Sequence, residues 1–121
     1  MATAKILVVG NYQTGKTTLC YDVMVACGNK VTRPAWYTAT KGVEVKHVID
    51  GQQMVKLLDC AGHPDYRGFT ELYYERADAV VVVGPAGDWA EQVRDVAGYI
   101  PVVYTTCTKP DLGQIVSLWR E

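Results

Sequence analysis

A chain of 121 residues with 49% hydrophobic content can bury one core and has no length for a second, so positions 1–121 read as a single domain. The net charge of -1, from 12 basic and 13 acidic residues without long like-charge runs, gives no field for nucleic acid or an anionic membrane. Cys20, Cys27, Cys60 and Cys107 contain no C-x-x-C pair and read as reduced thiols packed as small core residues, not as a zinc site or a disulfide framework. No signal-peptide pattern opens the sequence, no apolar run approaches a bilayer span, and Leu118-Trp119-Arg120-Glu121 offers no cysteine to lipidate. The expected location is therefore the cytoplasm.

In chain order, Lys5 to Val9 reads as a buried strand that runs into Gly10-Asn11-Tyr12-Gln13-Thr14-Gly15-Lys16-Thr17. This fits G-x-x-x-x-G-K-[ST], a chance match in roughly one chain of this length in a few hundred. A strand precedes it and a helical pattern follows, the context the motif requires. Two glycines let the backbone wrap a phosphate, with successive N–H groups and a helix N-terminus aimed at its oxygens. Lys16 is expected to reach the β and γ phosphates, and the Thr17 hydroxyl to ligate Mg²⁺, which takes few protein ligands. The candidate nucleotide contacts are Gly10 to Thr18, with Tyr12, Gln13 and Thr14 crowding the middle of the loop and Thr18 at its end.

The following helix carries Leu19, Val23 and Cys27 on one face, with Cys20 and Met24 beside them, and ends at Gly28-Asn29. Lys30 to Lys41 has no regular period and reads as a long surface loop with two docked aromatics, Trp36 and Tyr37. Val43 to Ile49 alternates as a strand whose apolar face is Val43, Val45, His47 and Ile49. Asp50-Gly51 turns the chain into an antiparallel partner, Met54 to Asp59. A carboxylate at the end of that strand, Asp59, is placed to hold a magnesium water.

Tyr66 to Ala77 is expected to be helical, with Phe69, Leu72, Tyr73 and Ala77 on its buried face. Ala79 to Val83 is a continuous apolar strand, as parallel strands covered on both faces are. Asp88 and Glu91 suggest a capping box on a short helix bearing Trp89, Val93, Val96 and Ala97, closed by Gly98. Ile100 to Cys107 forms the last strand, and Gln114 to Glu121 a final short helix. Alternating strands and helices after one hairpin specify an open α/β sheet with helices on both faces and ligand at the carboxyl ends of the strands.

The phosphate loop, Thr38-Ala39-Thr40-Lys41-Gly42-Val43-Glu44, Asp59 to Gly62 and Thr108-Lys109-Pro110-Asp111 occur in the order, and at about the spacings, of the Ras superfamily of small GTPases. Thr40 to Val83, including Tyr73-Tyr74 and Ala77-Asp78-Ala79, most resembles the Rab branch. The resemblance implies a P-loop NTPase fold, with five mostly parallel strands and one antiparallel hairpin edge, that binds GTP or GDP with Mg²⁺. It assigns Thr40 to the metal when a γ phosphate is present, Asp59 to the metal through water, and Gly62 to sensing the γ phosphate. Asp111 would accept two hydrogen bonds from guanine, Lys109 would lie along the base, and Thr108 replaces the usual asparagine as in the Rho branch.

Two departures shape the expected activity. His63 stands where Ras-like proteins place the water-orienting glutamine, and Asp59-Cys60-Ala61-Gly62-His63 resembles the translation-factor pattern in which histidine has that position. With Lys16 it is the candidate catalytic residue, in a reaction where the protein mainly positions the nucleophile and stabilises charge. Only ten residues follow Asp111, whereas the family continues through a further strand, a base-supporting loop and a long helix. Weaker nucleotide binding with faster release is expected, as is an apolar surface beside the first helix, covered in part by Gln114 to Trp119 and for the rest by a second copy of the chain.

The leading expectation is a slow GTP-hydrolysing switch that meets effectors or regulators through residues 30–43 and 63–75. The alternative is a non-hydrolysing module that occupies Rab partners. A phosphate-loop ATPase is disfavoured, because adenine offers Asp111 no matching donors.

Overall fold

The computed structural model describes residues 3–11, 13–31, 42–60, 73–75 and 77–120. Their elements, in order, are β1 (Thr3–Gly10), α1 (Lys16–Ala26), β2 (Val43–Asp50), β3 (Gln53–Cys60), β4 (Ala79–Val83), α2 (Trp89–Ala97), β5 (Val102–Thr105) and α3 (Leu112–Ser117). The five strands lie in the order β2-β3-β1-β4-β5. All pairs are parallel except β2 with β3. This is the open, mostly parallel sheet with one antiparallel edge pair that the alternation of apolar runs predicts.

Two apolar layers follow from the period of two along each strand. Ala4, Ile6 and Val8 of β1 face one layer with Ala79, Val81 and Val83 of β4, under Leu19, Cys20 and Val23 of α1. Leu7 and Val9 face the other with Val80 and Val82, under Trp89 and Val93 of α2, Tyr74 and Ala77. β1 and β4 are buried on both faces, which is why they read as unbroken apolar runs. Asp78 secures their entry: its carboxylate accepts from the Lys5 N–H at 2.8 Å, and its own N–H donates to Lys5 O at 2.8 Å.

Several expected details differ. On β2 the buried residues are Lys46 and Val48, while Val45, His47 and Ile49 are exposed. The apolar alternation predicts the opposite face. At this edge strand it is α1 that decides, because Val48 packs with Leu19, Val23 and Val55 in its layer. Tyr73 is exposed and Tyr74 fully buried, so the aromatic that packs is one residue further on. The rest of the expected helix up to Leu72, and Arg76, lie outside the described residues. Asp88 stands at the N-cap of α2 but makes no side-chain cap hydrogen bond, and its carboxylate accepts instead from Gln92 Nε2 at 2.6 Å. The last strand is shorter than Ile100 to Cys107. The last helix starts two residues before Gln114 because Asp111 Oδ1 accepts the Gln114 N–H at 3.1 Å and caps it.

α3 covers the flank of α1, as Gln114 to Trp119 are expected to do. Ile115 and Trp119 are buried in the layer of Leu19, Cys20 and Val23, with Met24 and Cys27 packed against it. Trp119 Nε1 donates to Asp50 Oδ2 at 2.7 Å, and Arg120 donates to both Asp50 oxygens at 2.7 and 2.8 Å. Asn29, just past α1, closes the same end: its Nδ2 donates to Met24 O and Ile49 O, and its Oδ1 accepts the Ile49 N–H. Cys20 and Cys60 are buried thiols, Cys60 pushed up to about 12 by burial, and pack as small core residues.

Candidate functional site

Register brings the chemistry to one edge of the sheet. Val8 of β1 lies beside Asp59, Gly10 beside Val83, and Val83 beside Thr105, so four parallel strands end together where their loops depart. Gly10 and Gly15 are required by contact as well as by positive φ. A Cβ on Gly10 would overlap the Val83 carbonyl, and one on Gly15 would lie 2.5 Å from Cys107 Sγ. The second contact seats the phosphate loop directly against the segment that carries Thr108, Lys109 and Asp111.

Inside the loop, Lys16 Nζ donates to Asn11 O at 2.8 Å, and Thr14 Oγ1 donates to the same carbonyl at 2.9 Å. Trp89 of α2 reaches in from the opposite layer, its Nε1 donating to Asn11 Oδ1 at 2.8 Å. Gln13 holds a left-handed φ of 60°, a conformation that costs a side-chain-bearing residue about 1 kcal/mol. α1 begins at Lys16 with no side-chain cap and no acidic residue in its first turn. The start of α1 is the positive end of the helix dipole, which favours an anion.

Thr17 and Asp59 meet from α1 and β3, with Thr17 Oγ1 donating to Asp59 Oδ2 at 2.6 Å. Asp59 is fully buried, and its Oδ1 has no hydrogen-bond partner. Burial raises its pKa, opposed by the Thr17 hydrogen bond and by the charges of Lys46 and Lys16. Burial likewise lowers the pKa of Lys16, opposed by Asp59. A cation with vacant oxygen positions suits such a carboxylate. Hard divalent ions that keep most of their waters need no more protein than one hydroxyl and one carboxylate. Among the described residues no group of three or more His, Cys, Asp or Glu side chains is placed to hold a metal. The hydroxyl of Thr17 and the carboxylate of Asp59 are hard oxygen donors, a set that fits magnesium.

Lys46 belongs to this corner and was not expected there. Its side chain is only 5% exposed; Nζ lies 2.6 Å from Glu44 Oε1 and 3.9 Å from Asp59 Oδ2, and 5.1 Å from the centre of the Tyr21 ring. Burial would lower its pKa, yet the hydrogen bond with Glu44 and the charge of Asp59 raise it. The signal that could have found it is the lysine two positions after Glu44 on a strand paired to the one bearing Asp59.

The remaining segment forms a rim. Thr108, Lys109 and Asp111 are exposed, and the loop is held from below: the Asp111 N–H donates to Thr105 Oγ1 at 3.0 Å and the Lys109 N–H to Thr106 Oγ1 at 3.2 Å. Tyr12, Thr40, Gly62 and His63 lie outside the described residues.

Residues 5–111 match the family described as Ras of Complex, Roc, domain of DAPkinase. The chain belongs to the Roc family. Roc domains are Ras-like GTPase domains, so the chain has the fold of a GTPase family. Comparison with curated proteins gives no match. No helix of the described residues is long and apolar enough to cross a membrane.

Proposed function

We propose that residues 1–121 act as one minimal GTP-binding switch that hydrolyses GTP slowly. The observation that carries this reading is the meeting of Thr17 and Asp59 at the strand ends, with Asp59 Oδ1 buried and unpartnered and Lys16 held on the Asn11 carbonyl beside them. Lys16 loses stability by burial as a cation and regains it against phosphate oxygens. The Gly10 to Thr18 backbone, Tyr12 included, surrounds the phosphates, and Thr17 and Thr40 with Asp59 hold Mg²⁺. That ion, when bound, neutralises charge on the β and γ phosphates.

Guanine recognition falls to Asp111, with Lys109 along the base and Thr108 in the position of the usual asparagine. Gly62 senses the γ phosphate, and His63 orients the attacking water in place of glutamine. Residues 30–43 and 63–75 are the proposed surfaces for effectors or regulators, in the Rab-like manner that Thr40 to Val83 suggests. A cytoplasmic setting fits this role.

The test is a titration with fluorescent GDP and GTP analogues in Mg²⁺, with the adenine counterpart and Thr17→Asn as controls. Guanine-selective, magnesium-dependent binding that Thr17→Asn removes is the expected result. Failure to bind any nucleotide would transfer the fold to the alternative role, a Rab-like surface that occupies partners without turnover.

A further inference from the structure

Glu44 of β2 lies directly across from Asp59 of β3 in the antiparallel register, two carboxylates on one face of a strand pair. Like charges so placed repel unless a cation is shared between them. Lys46, two residues beyond Glu44 on the same face, supplies it. It sits 2.6 Å from Glu44 and 3.9 Å from Asp59, with its stem buried and its head against Tyr21. The exposed residues on this strand are its neighbours, so an ordinary surface lysine would have had solvent one position away on either side. The asymmetry of the two distances matters as well. Lys46 is bonded to the more exposed acid and stands off from the buried one, whose Oδ1 has no partner.

We propose that Lys46 is the chain's own counter-cation for Asp59, opposing the divalent ion that the site takes up, with Glu44 holding it back. This rests on the nucleotide-switch reading. Metal on Asp59 would face Lys46, which Glu44 holds at 2.6 Å; without the metal Lys46, at 3.9 Å, is the nearest positive charge to Asp59 among the described side chains. A buried carboxylate is thereby never left without a cation, and the protein's hold on the metal is weaker than Thr17 and Asp59 alone would make it. Lys46 is a positioning residue and touches no reacting atom.

Two measurements on the full chain test it. In metal-free and nucleotide-free buffer, Lys46→Gln should lower the urea midpoint, while Lys46→Arg stays at the wild-type value. An unchanged midpoint in Lys46→Gln overturns the counter-cation role whether or not nucleotide binds. With saturating GDP, Mn²⁺ uptake followed by electron paramagnetic resonance should tighten about tenfold in Lys46→Gln, the order expected for removing one charge that faces a divalent ion a few ångströms away. Glu44→Gln should weaken uptake. A merely structural lesion would loosen metal binding in both variants, so unchanged or weaker binding in Lys46→Gln overturns the opposition to metal. If the wild-type chain binds neither GDP nor Mn²⁺, the switch reading fails and the opposition to metal fails with it; the first measurement then decides the counter-cation role alone.

Discussion

Asp50 and Asp59 sit near opposite ends of one strand pair, and their surroundings could hardly differ more. Asp50, at the hairpin, accepts from Trp119 Nε1 and twice from Arg120, and these bonds, the Arg120 pair first, hold its pKa down to about 2. Asp59, at the strand ends, receives the Thr17 hydroxyl on one oxygen, nothing on the other, and is raised by burial. One end of the sheet is internally complete. The other is arranged around a positive charge that the described side chains supply only in part. A buried polar group without partners is costly, and in the proposed reading this cost at Asp59 is met by the bound ligand.

The comparison breaks first at the ligand end. Lys16→Ala and Thr17→Asn should each cut affinity for a fluorescent guanine nucleotide at least about a hundredfold, since each removes a charge-assisted contact in a desolvated site. Thermal midpoints without nucleotide should move far less. If both variants bind as the wild type does, the phosphate loop does not serve the role given to it.

Asp59→Asn sharpens the contrast further. Without metal or nucleotide it should stabilise the fold by about 1–2 kcal/mol, by relieving a buried charge that is only partly compensated, while the metal dependence of binding disappears. The pH dependence gives the sign. Because the pKa of Asp59 is raised in the folded state, its contribution is favourable when it is protonated and is lost as pH rises through the folded value. Metal-free wild-type protein should therefore lose stability on that rise relative to Asp59→Asn, measured by urea denaturation at a series of pH values.

Asp50 should respond with the opposite sign. Its depressed pKa gives stability that is present above the ordinary carboxylate value of 3.8 and lost as pH falls through about 2. Asp50→Ala should lower the thermal midpoint at neutral pH by roughly 5 °C, mainly because the buried Trp119 N–H loses its acceptor. The variant should then lose less than the wild type on acidification from pH 4 to 2. Guanine-nucleotide affinity should change little, which separates the two ends of the sheet.

How much of this was legible follows from what each residue answers to. The phosphate loop, the two-faced burial of β1 and β4, and Asp59 at a strand end depend on local pattern and on the short menu of ways to close a strand on a helix, so the sequence carries them openly. Lys46 did not show, because the face an edge strand turns inward is chosen by the helix that packs on it. The periodicity of Val43, Val45 and Ile49 points the wrong way, and α1 overrides it through Val48. Trp89 reads as one more apolar residue of a helix stripe; its indole bond to Asn11 requires two segments 78 positions apart to meet. Asp50 was legible only as a turn residue, and its partners Trp119 and Arg120 come from the other end of the chain.

The smallest effect tests a residue that serves both ends at once. Asp111 is exposed on the rim where a base would be read, yet its Oδ1 caps α3, whose Ile115 lies in the layer beneath α1. Asparagine caps a helix as well as aspartate does, whereas alanine does not. Asp111→Asn should therefore leave the urea midpoint unchanged, and Asp111→Ala should cost about 1 kcal/mol. Both should lose preference for guanine over adenine nucleotides, because an amide cannot accept two hydrogen bonds from guanine as a carboxylate does. Equal stability of the two variants would show that the cap contributes nothing. Retained guanine preference in Asp111→Asn would show that the base is read elsewhere, with α3 then the sole reason for an acid at this position.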